Sequence, residues 1–548
     1  MRRLFIAGLL VAALAGCNNN PGQNAVNEKD TIKKDTTKVT ANKVVVTAVT
    51  RNWQVTAENA YSDLFMDSAT VEQFIARQKL PADIALALRN FYNARNFEYA
   101  WFAGDGFTEP ALAFRSLYDY NNDSSIARKL LDEKLDELMD EDSLSVALPD
   151  PDITKTELLL SWRFINYLND HFNDAARREL LLENLVPSKK LPVFDAADSL
   201  LGRGQDIVLS GNPAYALLKD QLRKYVSLAK KGGWPVLPHT KKKYKRGNSN
   251  PVIKAIKKRL EPEGWLPGGD TTAMFDDSLA GAAGRFQLSL GYKADSIISP
   301  DLIKEMNTPA KEQVRRIIIN MQRMQWAPDE PAGKLITVNI PEFKLYAWNG
   351  KAKVFDMPIV VGKQGHGTVM FSGKLDRIVF SPYWNLPESI VRKEVLPAMK
   401  KDKKYLEKNE MEITGKRNGL PVVRQLPGDK NELGKVKFLF PNSFNIYFHD
   451  TPHKWLFSRQ KRAYSHGCIR VAEPAELAAY LLESTPGWTA ALIDSAMNSG
   501  KEKVVKLNEP APVLINYYTV WMNREGVLQF RTDIYLHDKK MGNKLFSD

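Results

Sequence analysis

A chain of 548 residues exceeds the size of one domain, and at about 150 residues per domain it predicts three or four. Its residues are 44% apolar and 10% aromatic, which supplies material for packed cores and excludes a wholly disordered chain. The net charge of +13, from 77 Lys and Arg against 64 Asp and Glu, favours an anionic partner, and a total of two cysteines excludes a disulfide framework.

The N-terminus has the order of a secretory signal. A basic head, Arg2-Arg3, precedes the apolar run Leu4–Ala13, which is shorter than the ~20 residues that span a bilayer as a helix. Leu14-Ala15-Gly16-Cys17 resembles the lipobox of bacterial lipoproteins. The resemblance implies that residues 1–17 are a lipoprotein signal peptide and that Cys17 carries a lipid; an ordinary signal peptide cut nearby is the alternative.

Residues 18–50 are mostly polar, and we predict a flexible tether that spans roughly 30 Å, because such a segment buries too little apolar surface to fold. With a lipid anchor, the tether implies an exported protein on the periplasmic side of the cell envelope. Such a protein rarely meets nucleic acid, and we expect none as a partner. The basic run 241–246 is then a solvated linker, or attracts an anionic envelope polymer.

Two helical regions follow. Within 51–235, apolar residues recur at three- and four-residue intervals, most clearly over Leu158–Phe172, which predicts a helical scaffold domain. Residues 250–308 predict three short helices. This second region resembles the three-helix peptidoglycan-binding module through Leu260, Gly264, Leu266, Phe275, Ala283, Phe286-Gln287, Leu290-Gly291 and Asp295, with Ser296 in the place of a usual glycine. We expect its aromatic residues to belong to the core.

Alternating strands begin near residue 330 and predict a sheet domain over 330–500, with Asn349-Gly350 as a hairpin turn. Heavily charged sequence at about 387–434 interrupts the strands and predicts a helical insertion that caps a site. Residues 510–540 predict a C-terminal hairpin that completes the same domain with outer strands.

The main cluster of potentially reactive residues surrounds Cys468, in the segment Ser465-His466-Gly467-Cys468-Ile469-Arg470. His449 lies 19 positions before the cysteine. Three of the seven histidines, His449, His453 and His466, fall within the twenty residues that end at Cys468. A thiolate is the attacking form of cysteine, and basic or cationic neighbours lower a thiol pKa from about 8.5. The pattern therefore predicts a nucleophilic cysteine with a lowered pKa.

The spacing His-x(15)-Ser-His-Gly-Cys-x-Arg resembles the L,D-transpeptidase (YkuD) domain. Phe380–Pro387, Phe440-Pro441-Asn442 and His449–Pro452 extend the resemblance to the larger, YcbB-type branch of that family, over about residues 55–540. The resemblance implies a multidomain α+β protein. Its parts would be a helical N-terminal scaffold domain, a three-helix peptidoglycan-binding-like module and a mainly-β YkuD-like catalytic domain with a helical capping insertion.

The same resemblance implies a peptidoglycan L,D-transpeptidase that links diamino acids of neighbouring stem peptides. Cys468 would be the nucleophile that forms a thioester, and His449 the proton donor and acceptor. Ser465, His466 and Gly467 would support the thiol or line an oxyanion hole, since glycine lets backbone N–H groups approach closely.

Four residues are candidates for substrate binding: Arg470, Tyr447, Trp384 and Asn385. For Arg470, holding a substrate carboxylate and pairing within the fold remain equally open. Tyr447 and His449 should share one face of a strand, because side chains alternate along it. The expected partners are the stem peptides and glycan of peptidoglycan, with carbapenems as thiol-directed inhibitors. We expect no cofactor and no metal, and the sequence leaves the oligomeric state open.

Other interpretations of these residues remain. Hydrolysis, with water in place of the acceptor amine, would make the protein an L,D-carboxypeptidase. A non-catalytic lipoprotein that anchors the wall would need only the module at 250–308. Cys468 could be inert core, or could bind zinc with His449, His453 and His466, although Pro452 interrupts a regular helical pair of histidines.

Overall fold

The computed structural model describes residues 48–120, 150–202, 213–328, 332–442 and 444–548, together with five residues of the segment between the first two ranges: Leu131, Lys134, Leu135, Leu138 and Val146. The predicted signal peptide, Cys17 and nearly all of the predicted tether therefore lie outside the described residues. Across the described ranges, no helix combines the length and the apolar character that a bilayer crossing requires.

The N-terminal region is helical, as predicted. Its helices are Ser68–Gln78, Ala82–Ala94, Glu109–Tyr120, Pro151–His171, Ala175–Asn184, Val193–Gly202 and Pro213–Lys230, with a small ribbon of β1 (Phe102–Ala103) and β2 (Gly106–Phe107). Aspartates begin several of them: the Asp150 carboxylate accepts from the N–H groups of Asp152 and Ile153 ahead of a proline in the first turn. Trp101 is fully buried between the rings of Phe114 and Phe164 and centres this core.

The module at 250–308 contains the three predicted helices, Pro251–Leu260, Asp277–Ser289 and Pro300–Met306. Phe275 and Phe286 are buried in its core. The turn before the third helix is held by Gln287, whose amide donates to Asp295 Oδ1 at 2.7 Å and accepts from the Ser296 N–H at 2.9 Å. Ser296 has φ +58°, in the left-handed region, which explains why glycine is usual at this position.

A long helix, Ala310–Met324, joins the module to the sheet domain and packs against the helix Pro213–Lys230. Near its end, the buried guanidinium of Arg323 pairs with Glu109 of the N-terminal region and, at 2.5 Å, with Asp538 of the C-terminal helix His537–Leu545. A buried guanidinium without a partner would be costly, and here two carboxylates pair with it. The N-terminal helical region and the C-terminal helix therefore meet at the connecting helix.

The sheet domain is built from twelve strands, and in chain order they are β3 (Lys334–Asn339), β4 (Lys344–Asn349), β5 (Ala352–Gly362), β6 (Phe371–Phe380), β7 (Trp384–Asn385), β8 (Met411–Arg417), β9 (Leu420–Gln425), β10 (Val436–Leu439), β11 (Phe448–His449), β12 (Ala463–Ser465), β13 (Ile469–Val471) and β14 (Lys503–Asn516). Nine of them form one sheet in the order β12-β5-β13-β11-β10-β6-β14-β3-β4. Because β4 also pairs with β5, the sheet closes on itself around an apolar core, against which the helices Pro474–Leu482 and Ala490–Met497 pack.

The insertion is only partly helical, which corrects the sequence prediction. Its helical part consists of Glu388–Ile390, a π-helical turn at Val391–Val395, Leu396–Lys401 and Tyr405–Lys408. The rest is a hairpin of β8 and β9, which β7 extends to three strands. Asn418 (φ +50°) and Gly419 (φ +75°) form its turn, and an Asn-Gly pair with positive φ at both positions is the strongest short hairpin signal.

The C-terminal prediction is also corrected. β14 does not form an outer strand: it lies between β6 and β3, antiparallel to the first and parallel to the second. The hairpin is shorter than predicted, β15 (Val520–Met522) with β16 (Leu528–Phe530), and packs with the connecting helix outside the main sheet. The run Val513–Ile515 is buried without a break, which is the pattern of a central strand and not of an edge.

Candidate active site

Two short strands, β11 and β13, bring the predicted site residues close to one another. β11 and β13 are parallel, with Phe448 beside Ile469 and His449 beside Arg470, and the Ile469 N–H donates to the Tyr447 carbonyl at 3.1 Å. Phe448 and Ile469 point into the core and are fully buried. Since side chains alternate along a strand, the residues on either side of them face the opposite way.

That opposite face carries four polar side chains: Tyr447 and His449 from the β11 segment, and Cys468 and Arg470 from the β13 segment. The rings of Tyr447 and His449 lie 5.7 Å apart, as predicted for residues that share a face. The register places Tyr447 directly beside Cys468 and His449 diagonally beside it. The fold therefore collects the predicted nucleophile and base on one surface.

The Cys468 thiol is partly exposed, and its Sγ lies 3.6 Å from the carbonyl oxygen of Asn445. Burial raises the pKa of Cys468, although the backbone N–H and hydroxyl of Tyr447 and the charge of Arg470 favour the thiolate. The predicted lowering of this pKa is therefore wrong. Desolvation outweighs the favourable neighbours, and the free protein holds a neutral thiol.

The His449 imidazole is 4% exposed, and its Nδ1 lies 2.5 Å from the carbonyl oxygen of Asp450. A carbonyl can only accept, so Nδ1 carries the proton and Nε2 keeps a lone pair. Burial, followed by the charge of Arg470, lowers the pKa of His449 to about 3. Among the described residues, no hydrogen bond joins His449 to the Cys468 thiol. The pair is uncharged, with a neutral base available for the thiol proton.

Ser465 holds the loop around the cysteine. Its Oγ donates to the Cys468 carbonyl at 2.5 Å and accepts from the Gly467 N–H at 3.2 Å, while Thr368 Oγ1 donates to the Gly467 carbonyl at 2.7 Å. Gly467 has φ +119°, which a side chain rarely permits. The Gly467 N–H is therefore occupied by Ser465. Within the described part of the chain, the Cys468 N–H donates to no protein group, so this donor is available to a ligand.

His466 faces the insertion. Its ring is half exposed, Nε2 lies 3.7 Å from a carboxylate oxygen of Glu394, and the His366 ring lies 5.4 Å away. Burial, with a contribution from Lys363, lowers the pKa of His466. The π-helical turn that carries Glu394 thus comes close to the loop that carries Cys468, which fits the prediction that the insertion caps the site.

The remaining substrate-binding candidates have different surroundings. Arg470 Nη2 lies 3.5 Å from Glu432, so it pairs within the fold, and Glu432 also accepts from His453 Nε2 at 3.0 Å. Trp384 and Asn385 form β7 and pair with β9 of the insertion, where Trp384 packs into the insertion's own apolar cluster. Among the described residues, neither makes a hydrogen bond or a ring contact with Cys468 or His449.

Among the described residues, no group of three or more His, Cys, Asp and Glu side chains is arranged to hold a metal ion. His453 and His466 point to Glu432 and Glu394.

The region that contains Cys468 and His449 matches a known family model. Residues 333–489 match the L,D-transpeptidase catalytic domain, YkuD. We call these residues the YkuD-matching region. Residues 86–222, in the helical region, match the family model described as a Scaffold domain.

Proteins with related names are similar to this chain. A protein of Haemophilus influenzae named "Putative L,D-transpeptidase" is 32% identical over 243 residues, which are 41% of this chain and 49% of that relative. The chain thus spans about half the length of the curated relative it matches. L,D-transpeptidase structures from Mycobacterium smegmatis (15% identity, 34% of this chain and 60% of that one, TM-score 0.19) and Stackebrandtia nassauensis (13%, 53% and 100%, TM-score 0.21) are also similar, but at these TM-scores they support no further conclusion.

Two contributors to the candidate site were not predicted from the sequence. Lys437 of β10 pairs in register with His449, and Gly434 lies against Asp450. The alternation of Val436-Lys437-Phe438, buried, half-buried and buried, indicates a strand with one polar face. Only the pairing of β10 with β11 shows that this face includes the histidine.

Gly434→Ala should destabilise the YkuD-matching region. Gly434 has φ +62°, and a Cβ there would lie 2.4 Å from the Asp450 carboxyl group, whose oxygen accepts from the Lys435 N–H. The strained backbone and the clash should together lower the free energy of unfolding by about 2–4 kcal/mol, measured in urea. Acylation of Cys468 should slow as well, because Asp450 also holds the His449 ring.

Gly415→Ala is the matched control, since Gly415 lies in β8 and a Cβ there meets nothing within 4 Å. If Gly434→Ala were as stable and as reactive as Gly415→Ala, the close packing of Gly434 on Asp450 would have no role in holding the site.

Proposed function

We propose that the protein is a peptidoglycan L,D-transpeptidase that works through a cysteine thioester. The observation that supports this most is the shared face of β11 and β13, where Cys468 and a neutral His449 lie diagonally adjacent within the region that matches the YkuD family. A cysteine with a base beside it suits acyl transfer, because a covalent intermediate divides one difficult step into two easier ones.

In the first step, Cys468 Sγ attacks the carbonyl that joins the diamino acid of a tetrapeptide stem to its terminal D-alanine. His449 Nε2 takes the thiol proton and delivers it to the leaving amine, so D-alanine departs and a thioester remains. The Cys468 N–H stabilises the oxyanion, and one such donor contributes ~3 kcal/mol to lowering the barrier.

In the second step, the side-chain amine of a neighbouring stem attacks the thioester. His449 accepts a proton from that amine and returns it to the departing sulfur, which restores the thiol and leaves an amide cross-link. Water in place of the amine would give the L,D-carboxypeptidase reaction with the same residues. By covering the site, the insertion that comes close to His466 would determine whether the amine or water attacks the thioester.

Mass spectrometry of purified muropeptides after incubation with the protein tests this proposal. A transpeptidase releases D-alanine and yields dimers that join two diamino acids, whereas a carboxypeptidase yields only shortened monomers. Absence of both products would support the remaining alternative, a non-catalytic wall-anchoring lipoprotein. The Cys468→Ala protein should give neither product and serves as the control.

We further propose that the module at 250–308 binds glycan and that Cys17 carries a lipid which anchors the protein to a membrane on the periplasmic side. The three helices of the module and the sequence around Cys17 support these proposals. A protein tethered in this way would reach the wall that it modifies.

A further inference from the structure

Lys437 lies directly beside His449. The antiparallel register of β10 and β11 pairs Lys437 with His449, and the parallel register of β11 and β13 pairs His449 with Arg470. Side chains at paired positions point to the same face, with neighbouring strands about 5 Å apart. The three residues therefore form one row in which the imidazole lies between two cations. We call it the histidine row.

The two cations of the histidine row differ in their partners. Arg470 has the Glu432 carboxylate at 3.5 Å. The Lys437 ammonium donates to the carbonyl oxygen of Tyr383 at 3.3 Å, and within the described ranges no carboxylate lies within 4.0 Å of it. Lys437 is half-buried, and burial lowers its pKa. Glu502 acts on this ammonium from beyond 4.0 Å and only partly opposes that lowering of the pKa. A half-buried ammonium without a contacting carboxylate is costly, and an anionic ligand would offset that cost.

The reaction places a carboxylate at a suitable distance from His449. In the departing amino acid, the α-carboxyl carbon is two bonds from the nitrogen that His449 protonates. A leaving residue with its nitrogen at the imidazole therefore has its carboxylate within reach of an adjacent position in the histidine row. Arg470 has the Glu432 carboxylate as an ion-pair partner, although its Nε is buried without a hydrogen bond, whereas Lys437 has no carboxylate within 4.0 Å among the described residues.

We propose that Lys437 binds the carboxylate of the leaving residue and thereby makes the site selective for acyl donors that end in a free carboxylate. This inference rests on the proposed function, because it assumes a peptide donor that loses its terminal residue. It assigns the substrate-carboxylate role to Lys437 instead of Arg470.

Binding to an unreactive protein tests the inference. In a Cys468→Ala background, calorimetry would compare a tetrapeptide stem with a free C-terminal carboxylate and the same peptide with a C-terminal amide. With Lys437 present, the carboxylate form should bind about 10-fold to 100-fold more tightly, as expected for a charge-assisted hydrogen bond. Lys437→Met should reduce this ratio to within about threefold, and Lys437→Arg should retain most of it.

Lys435→Met is the matched control, because the Lys435 ammonium pairs with Asp429 and Asn498 and its removal should leave the ratio unchanged. A ratio that Lys437→Met does not change, or failure of both peptides to bind, would overturn the inference. The proposed function fails separately, if the unsubstituted protein releases no D-alanine from the carboxylate peptide while the binding ratio still depends on Lys437.

Discussion

Replacing Cys468 by alanine is expected to eliminate acylation by a carbapenem and formation of cross-links, a loss of about 10⁶-fold if the nucleophile is essential. The unsubstituted protein should gain the mass of one drug molecule at Cys468, and Cys468→Ala should gain none. Intact-mass spectrometry measures both. The variant should keep its fold, because Cys468 is partly exposed and alanine removes only a small side chain whose contact with the Asn445 carbonyl is 3.6 Å long.

Cys17→Ala provides the control, since Cys17 is the only other thiol of the sequence. It should be acylated at the same rate as the unsubstituted protein. An adduct that persists in Cys468→Ala, or one that disappears in Cys17→Ala, would contradict the assignment of the nucleophile.

The local sequence was enough to predict that Cys468 and His449 lie together, and the strand pairing places them on one face. Ser-His-Gly-Cys and the histidine 19 positions earlier are rare enough to indicate their chemistry, and alternation along a strand correctly predicts that Tyr447 and His449 share a face. These properties depend on residue type and spacing within a single segment.

What the sequence did not predict depends on contacts between distant segments. The pKa of Cys468 follows from burial, which neighbouring residues do not reveal, and so the expected lowering was wrong. Lys437 and Arg470 are 33 positions apart and meet in the histidine row only through two strand pairings. β14 likewise pairs with β3, which lies more than 160 positions earlier. The sequence near β14 therefore could not predict that this strand lies in the middle of the sheet.

The hairpin of the insertion is a different case, because its signal was present. Asn418-Gly419 lies between two runs that form β8 and β9, but the surrounding lysines and glutamates favoured a helical interpretation. Within residues 411–425, the turn at Asn418-Gly419 outweighed the helix propensity of the surrounding residues. The insertion therefore has a sheet and an apolar cluster of its own. It lies close to His466 as a folded unit.

Replacing His449 by glutamine is expected to slow acylation of Cys468 by 10²–10⁴-fold, the usual contribution of a general base. The shape of the pH dependence is a stricter test. With a His449 pKa of about 3 and a raised Cys468 pKa, the neutral pair is the main species from about pH 5 to pH 8. The rate of the unsubstituted protein should therefore be flat over that range, without the acid limb near 6.5 of an ordinary histidine.

The His449→Gln protein should behave differently, because without a base only the small fraction of thiolate reacts. Its residual rate should rise about tenfold per pH unit until the raised pKa of Cys468 is reached. Stopped-flow measurement of carbapenem acylation from pH 5 to pH 9 distinguishes the two profiles. An acid limb near pH 6.5 in the unsubstituted protein would show instead that the thiol reacts as an ion pair with a charged imidazole, and a flat profile in His449→Gln would assign the thiol proton to another base. The pH dependence thus separates a neutral pair activated by the substrate from a thiolate that exists before it binds.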